Sequence, residues 1–248
     1  MLFLRSLVFT VIAVISVLLA ATLILLTFWA PQRFRSWLCF TWCSFAVWIA
    51  KPICGIRVEV EGRENIPVEP CVVMLKHTST FETYWHVTLF PKAVWVLKKE
   101  SMSVPLVGWA ISLGLDPIAI DRSSGASAVK QVIRQGGDRL AAGTWVSVFP
   151  EGTRMPPGKT RTYGISGAAL AREAKVKILP VAHNADDFWG RMSSVKRSGV
   201  IRVRVGPLID AAAQSPKETN LIAQKWIETQ MHEISDAYKN EHVQPAPD

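Results

Sequence analysis

The chain has 248 residues, of which 49 % are hydrophobic, and its mean hydropathy is +0.20. That hydropathy is high for a soluble protein of this size and argues against a purely soluble domain, although roughly 200 residues beyond an N-terminal anchor suffice for one core. The net charge of +8 favours anionic headgroups or phosphorylated substrates, and scattered basic residues without a nucleic-acid motif argue against nucleic acid as a partner.

The first predicted element is a transmembrane helix at about residues 7–30. This almost wholly apolar run has about 24 residues, enough at 1.5 Å per residue to cross a hydrocarbon layer of roughly 30 Å. A cleaved signal peptide is the alternative, but its apolar region would be shorter and would precede a small-residue cleavage site. The sequence therefore favours a retained anchor.

A second apolar run covers about residues 37–50 and is short for a membrane span. Its tryptophans, Trp37, Trp42 and Trp48, are typical of a membrane interface. The run is interpreted either as an interfacial or re-entrant helix or as the second arm of a helical hairpin. Residues 1–52 are thus the predicted membrane anchor, followed by one domain over 53–240 and a flexible tail over 241–248.

The basic residues around the anchor predict its orientation. Arg33, Arg35 and Lys51 follow the first apolar segment, whereas only Arg5 precedes it. The positive-inside bias therefore places the domain on the cytoplasmic side of the membrane.

The rest of the chain alternates strand-like runs with helix-like runs. Strands are predicted over 56–60, 71–75, 93–97, 117–120, 144–149, 176–181 and 201–205. Helices are predicted over 79–90, 126–142, 164–174 and 216–238. This order predicts an α/β fold with a mixed, largely parallel sheet flanked by helices. In such a sheet the chemistry belongs in the loops beyond the carboxyl ends of the strands.

The first candidate site, from His77 to Glu82, directly follows the strand over 71–75. A histidine has the pKa of a general base near neutral pH, and a carboxylate on one ring nitrogen would orient it. Residues five apart on a regular helix are separated by about 140°, so this pairing requires His77 in the turn and Glu82 in the first helical turn. The alternative is structural, because Ser79 and Glu82 also form the pattern of a capping box.

The second candidate site runs from Phe149 to Arg154 and also follows a strand. Gly152 permits close approach of a ligand to the backbone, Thr153 supplies a hydroxyl, and the planar guanidinium of Arg154 matches a phosphate. Glu151 is expected to orient Arg154 or to accept from a substrate hydroxyl. The alternative is an ordinary turn with a surface ion pair.

Two further basic residues, Lys98 and Arg122, lie at the ends of two other predicted strands. Each alone is typical of a solvated surface charge, but polar residues at four strand ends are expected to converge. His183 is the rival base. No Gly-x-Ser-x-Gly elbow is present, and the four cysteines lie in no nucleophile or metal-binding pattern, so neither a hydrolase triad nor a metal centre is expected.

Taken in order, these motifs resemble the glycerolipid acyltransferases, and among them the bacterial lysophosphatidic acid acyltransferases. The likeness covers roughly residues 58–208 and rests most specifically on Glu151-Gly152-Thr153-Arg154. It implies His77 as general base with Glu82 as its partner. It further implies that the second motif, with Lys98 and Arg122, binds the phosphate of the acceptor. Glu82 departs from the family pattern, which usually has aspartate there.

The resemblance implies transfer of a fatty acyl group from acyl-CoA or acyl carrier protein to the sn-2 hydroxyl of 1-acylglycerol 3-phosphate, making phosphatidic acid in phospholipid biosynthesis. It implies no cofactor and no metal. Expected partners are the bilayer of the cell inner membrane, a lysophospholipid and the acyl donor. The alternatives are another acceptor, such as lyso-ornithine lipid, and a non-catalytic, membrane-tethered binder of anionic lipids.

Overall fold

The computed structural model of the chain describes residues 1–90, 93–191 and 193–240, so the expected flexible tail at 241–248 lies outside the described residues. The α-helices in the described ranges are α1 (Leu2–Leu26), α2 (Gln32–Cys54), α3 (Phe81–Leu89), α4 (Val107–Leu115), α5 (Ala126–Ala141), α6 (Ser166–Glu173), α7 (Ala185–Phe188), α8 (Pro216–Ile234) and α9 (Asp236–Asn240). The strands there are β1 (Ile56–Glu61), β2 (Val72–Leu75), β3 (Ala93–Lys98), β4 (Ile118–Ile120), β5 (Trp145–Val148), β6 (Lys177–His183), β7 (Gly199–Val205) and β8 (Ile209–Asp210).

The strands form one sheet in the order β1-β7-β6-β2-β5-β3-β4, with β8 alongside β6. Strand β2 pairs in parallel with β5 and β6, and β3 pairs in parallel with β5 and β4. Strand β7 runs antiparallel to β6 and parallel to β1. The predicted mixed, largely parallel sheet is confirmed, and the loops after β2, β3, β4 and β5 leave the same edge.

The sheet separates two cores, and the fully buried central strand β2 contributes to both. Val73 and Leu75 pack into the core shared with α2 and α3. Val72 and Met74 face the opposite core, beneath α5, α6 and α8. A strand with helices on both faces is buried on both sides, which explains why this stretch is continuously apolar rather than alternating.

The two N-terminal helices form a hairpin along one face of the domain. At the start of α1, the Ser6 hydroxyl accepts a hydrogen bond from the Lys196 amide at 2.8 Å. Near its end, Ala21 and Ile24 pack with Cys39 of α2 and Ala110 of α4. Both helices are long and apolar enough to cross a membrane. Because both ends of α1 contact the remainder of the chain, the hairpin lies against the domain rather than projecting away from it.

The helix ends differ from the apolar runs in the sequence. Helix α1 ends at Leu26 rather than near residue 30, because a turn precedes Pro31. Helix α2 extends beyond residues 37–50 at both ends, since the Arg35 side chain bonds backbone carbonyls such as that of Leu113 at 3.1 Å. It ends at Cys54 and is capped by Gly55, whose φ of 74° is left-handed.

The predicted C-terminal helix over 216–238 is wrong at its end, because the structure has two helices there. Ser235 is extended and separates α8 from α9. Its hydroxyl donates to Asp187 Oδ1 at 2.9 Å, and Asp187 also accepts from the amides of Asp236 and Ala237. This capping by a side chain of the distant helix α7 restarts the helix, and no local sequence pattern predicts it.

Candidate active site

The loop between β2 and α3 brings His77 and Glu82 into contact. His77 Nδ1 lies 2.7 Å from Glu82 Oε1. His77 precedes the helix, whereas Glu82 belongs to its first turn and is fully buried. This is the arrangement that the spacing of the two residues requires.

The Glu82 carboxylate also caps the start of the helix. Its Oε2 accepts from the Ser79 amide at 2.8 Å, and its Oε1 accepts from the Thr78 amide at 3.1 Å. The Ser79 hydroxyl accepts from the Phe81 amide at 3.0 Å rather than from Glu82. An ionised carboxylate has about four acceptor sites, so the His77 contact and the capping contacts coexist on one side chain.

Burial decides the protonation of the pair. Burial, together with the nearby guanidinium groups of Arg154, Arg122 and Arg191, lowers the pKa of His77 to about 3. Burial raises the pKa of Glu82 to about 7, against the opposing effects of His183, Arg154 and the backbone amides. His77 is therefore neutral near pH 7, as a general base must be, and its Nε2 is the nitrogen that does not face Glu82.

The second motif contacts both the ring and the backbone of His77. The imidazole stacks on Phe149 with a centroid distance of 4.0 Å and an interplanar angle of 23°. The His77 amide donates to Glu151 Oε2 at 2.8 Å, and its carbonyl accepts from the Met155 amide at 2.7 Å. The loop after β5 thus fixes both the ring and the backbone of His77.

Glu151 is directed away from Arg154, contrary to the expectation that it would orient that side chain. Its side chain is fully buried, and its Oε1 lies 2.5 Å from Lys76 Nζ. A buried carboxylate needs such a partner, so Glu151 is committed to Lys76 and to the His77 amide. The sequence interpretation missed Lys76, although a lysine that ends an apolar strand is a signal of a buried ion pair.

The remainder of the second motif faces outward. Gly152 has a φ of 70°, which favours glycine, and an added Cβ would meet no heavy atom of the described residues within 4 Å. Thr153 is exposed. Arg154 Nε is buried without a hydrogen-bond partner among the described residues, and Arg154 lines an apolar cavity. An unsatisfied guanidinium donor next to open space is suited to an anionic ligand.

Arg122 contacts the loop after β5, whereas Lys98 lies at the surface. The Arg122 guanidinium donates to the Gly152 carbonyl. Lys98 is paired across the sheet with Ile120, and half of its side chain is exposed, 3.7 Å from Glu100. Arg191, which the sequence interpretation did not include, donates to the Arg154 carbonyl at 3.0 Å.

An apolar cavity of about 440 Å³ opens beside Arg154. It follows α1 from Phe9 to Ile24, a length of roughly 22 Å at 1.5 Å per residue. Its polar wall contains Arg154 and Lys196, and the remainder of its lining is formed mostly by apolar side chains of α1, α2 and α4. Representative apolar lining residues are Ala21, Ile24, Cys39, Val107, Ala110 and Ile111.

The rival base His183 is occupied within the interior. Its Nε2 donates to the Lys76 carbonyl at 2.9 Å, and its Nδ1 accepts from the Ala185 amide at 3.3 Å. The side chain is 1 % exposed. With both ring nitrogens engaged and no access to the cavity, His183 supports the loop rather than reacting.

Comparisons with known proteins place this geometry in context. The family model described as "Acyltransferase" matches residues 57–184. A 1-acyl-sn-glycerol-3-phosphate acyltransferase from Pseudomonas aeruginosa is 43 % identical over 209 residues, which cover 83 % of this chain and 81 % of that protein. The human 1-acyl-sn-glycerol-3-phosphate acyltransferase alpha is 30 % identical over 183 residues, covering 71 % of this chain and 62 % of the human protein.

A solved structure has the same fold. The 1-acyl-sn-glycerophosphate acyltransferase PlsC from Thermotoga maritima superposes with a TM-score of 0.77 over 98 % of both chains, at 19 % sequence identity.

Proposed function

This chain belongs to the acyltransferase family, as its motifs indicated, and we propose that it acylates the sn-2 hydroxyl of 1-acylglycerol 3-phosphate to make phosphatidic acid. The acyl donor is a thioester, either acyl-CoA or acyl carrier protein. The observation that carries this proposal is the 2.7 Å contact of His77 with Glu82, next to Arg154 at the wall of an apolar cavity, whose Nε has no hydrogen-bond partner among the described residues.

His77 is the general base of the proposed reaction. Its Nε2 takes the proton of the sn-2 hydroxyl as that oxygen attacks the thioester carbonyl. Collapse of the tetrahedral intermediate breaks the carbon–sulfur bond, and the leaving thiolate takes the proton back from the imidazolium. Glu82 stabilises the imidazolium between these steps, as the carboxylate does in hydrolase triads. The products are an ester and a free thiol, and the enzyme is regenerated.

The guanidinium groups bind the acceptor phosphate. Arg154 is the principal contact because its Nε has a donor to spare, and Arg122 and Arg191 add positive charge on either side. Gly152 and Thr153 border the same site, whereas the exposed Lys98 acts where the headgroup approaches. Planar guanidinium groups suit phosphate oxygens better than ammonium groups do.

The cavity accommodates an acyl chain, and the hairpin holds the enzyme at the membrane in which that chain resides. Apolar side chains such as Leu19, Trp37 and Trp109 remain exposed on α1, α2 and α4, which is typical of a membrane-binding surface. We assign the anchor to residues 1–52, the acyltransferase domain to 53–240, and the membrane to the inner membrane with the domain on its cytoplasmic side.

The test is an acyl-transfer assay on purified protein in detergent or vesicles. With lysophosphatidic acid and an acyl thioester, the wild type should make phosphatidic acid, detected by mass spectrometry. His77→Ala should lower kcat by about 10²- to 10⁴-fold, the usual contribution of general base catalysis, without loss of folded protein. Full activity in that variant would refute the mechanism.

Arg154→Gln tests the phosphate site, with Arg57→Gln as its matched control because Arg57 is exposed on the edge strand β1. Arg154→Gln should raise KM for lysophosphatidic acid, and Arg57→Gln should not.

A panel of acceptors including lyso-ornithine lipid tests the substrate. Faster turnover of an acceptor without phosphate would overturn the proposed acceptor, and lipid binding without any transfer would indicate the non-catalytic alternative.

A further inference from the structure

A buried ion cluster lies behind His77, on the side of the sheet covered by α8. It consists of Lys76, Glu151, Glu228, Tyr163 and Tyr238. Lys76 Nζ is 2.5 Å from Glu151 Oε1 and 2.9 Å from Glu228 Oε1, and the Lys76 side chain is completely buried. The ammonium also lies 5.4 Å from the centre of the Tyr238 ring.

The C-terminal helices supply two of the five residues of the ion cluster. Glu228 belongs to α8 and Tyr238 to α9. Tyr163 Oη lies 2.7 Å from Glu228 Oε1, and Tyr238 Oη lies 3.0 Å from Glu228 Oε2. Glu228 and Tyr238 lie outside residues 57–184, the segment matched by the family model.

Glu151 connects the ion cluster to the loop between β2 and α3, which carries His77. One of its oxygens contacts Lys76, and the other accepts from the His77 amide at 2.8 Å. The Lys76 carbonyl in turn accepts from His183 Nε2. Burial raises the pKa of Glu151 to about 7, and Lys76 opposes that rise. The charge of the carboxylate that holds the His77 amide therefore depends on Lys76, whose ammonium is also held by Glu228 Oε1 at 2.9 Å.

We propose that Lys76, held by Glu228 and Tyr238, is a positioning residue that orients His77 through Glu151. The C-terminal helices α8 and α9 then help to position the catalytic base, in addition to packing on the sheet. This inference rests on the proposed function, because it takes His77 as the base. If the ion cluster had a purely structural role, substitution of its residues would change the stability of the protein. The turnover of the folded enzyme would stay unchanged.

The decisive variants are Glu228→Gln and Tyr238→Phe, which remove a charge or a hydroxyl while keeping the shape. Each should lower kcat, because a small displacement of a catalytic group costs up to about 100-fold in rate. We expect a loss of about 10-fold for Glu228→Gln, with KM for the acceptor within roughly twofold of wild type. Glu233→Gln is the matched control, since it removes an exposed carboxylate of α8 that pairs with Arg204 at the surface.

A second readout is independent of acyl transfer. Diethyl pyrocarbonate modifies neutral imidazoles, and its rate at His77 is measured by mass spectrometry of the modified peptide. Glu228→Gln and Lys76→Met should change that rate, and Glu233→Gln should not. If Lys76→Met fails to fold, Glu228→Gln and Tyr238→Phe still decide the question. Coupling is tested by combining Lys76→Met with Glu228→Gln, whose effects on kcat should not add if the residues act as a unit.

The outcomes separate this inference from the proposed function. Unchanged kcat and unchanged His77 reactivity in Glu228→Gln and Tyr238→Phe would overturn the inference, as would a loss of activity that only follows the loss of folded protein. If the wild type does not acylate lysophosphatidic acid, the proposed function fails. In that case, the change in His77 reactivity alone supports or refutes the positioning role.

Discussion

Glu82 illustrates how one buried side chain serves two purposes. Its carboxylate orients His77 at 2.7 Å and caps α3 through the amides of Thr78 and Ser79. The capping-box pattern and the catalytic pattern in the sequence are therefore not alternatives. The extra methylene relative to aspartate is accommodated because Glu82 starts in the first helical turn and folds back towards the loop.

Substitution of Glu82 separates its two roles. Glu82→Gln keeps an oxygen for the backbone amides but removes the charge that stabilises the imidazolium. We expect kcat to fall by at least about 100-fold, with a melting temperature that changes little compared with Glu82→Ala. Kinetics and thermal unfolding of the two variants check this. Equal activity of Glu82→Gln and wild type would leave Glu82 with the capping role alone.

His86 is a second buried histidine, and it has a structural role. Its Nε2 lies 2.6 Å from the Ser147 hydroxyl, its Nδ1 accepts from Trp95 Nε1 at 2.6 Å, and burial lowers its pKa to about 3. The unfolded chain titrates this group near 6.5. The stabilisation that neutral His86 provides is thus complete above about pH 6.5 and is lost as pH falls towards the folded-state value.

This linkage gives a testable pH dependence. The difference in free energy of unfolding between wild type and His86→Gln should shrink by about 2 kcal/mol between pH 7.5 and pH 5, because only the wild type must exclude that proton. Denaturant unfolding in detergent at the two pH values measures it. A pH-independent difference would show that folding does not shift the pKa of His86.

At the scale of elements, α1, α2 and α4 form the apolar wall of the cavity. Small residues at their contacts let the helices approach closely, as at Gly114, where an added Cβ would lie 2.4 Å from Cys39 Sγ. Ala110 lines the cavity in the same region. The size of these side chains therefore limits the space for an acyl chain.

Ala110→Phe should shorten the cavity and shift the donor preference to shorter acyl chains. The relative rate should change by about 4-fold for each methylene that no longer fits, from the free energy of burying that group. Competition between laurate, palmitate and oleate thioesters measures the preference. Leu19→Phe is the control, because Leu19 is 67 % exposed on α1. The same shift in both variants would argue against this cavity as the acyl site.

At the scale of the whole molecule, the two faces of the sheet have different tasks. The hairpin, α3 and α4 lie on one side, with exposed apolar residues that include Trp37 and Trp109. Helices α5, α6 and α8 cover the other side, where α8 reaches the ion cluster. The loop between β2 and α3 therefore lies between the proposed membrane-binding face and the face that carries the ion cluster.

Charge on the membrane-binding face should weaken vesicle binding. The double variant Trp37→Glu/Trp109→Glu should lower partitioning into anionic vesicles by more than about 10-fold, since each buried aromatic contributes about 1.5–3 kcal/mol. Co-sedimentation measures the bound fraction. Leu221→Glu/Ile222→Glu is the matched control, because these exposed residues lie on α8. An equal loss of vesicle binding in both variants would show that the face carrying Trp37 and Trp109 is not the membrane-binding surface.

The sequence by itself determined the alternation of strands and helices, the two apolar N-terminal segments, and the motif residues at the strand ends. These features depend on neighbours in the chain, through side-chain periodicity, turn residues and hydropathy. Parallel strands end at one edge of a sheet, so His77 and Arg154 could be brought together before any coordinates were known.

Only the tertiary structure decided the antiparallel course of β7, the position of the hairpin along the domain, and the orientation of Glu151 towards Lys76 instead of Arg154. Lys76 and Glu228 are 152 positions apart, and no local pattern connects them. The partner of a buried charge is chosen by packing across the sheet, where an unpaired charge is costly. The motif residues at the strand ends could therefore be located from the sequence, whereas the buried partners that hold them in place could not.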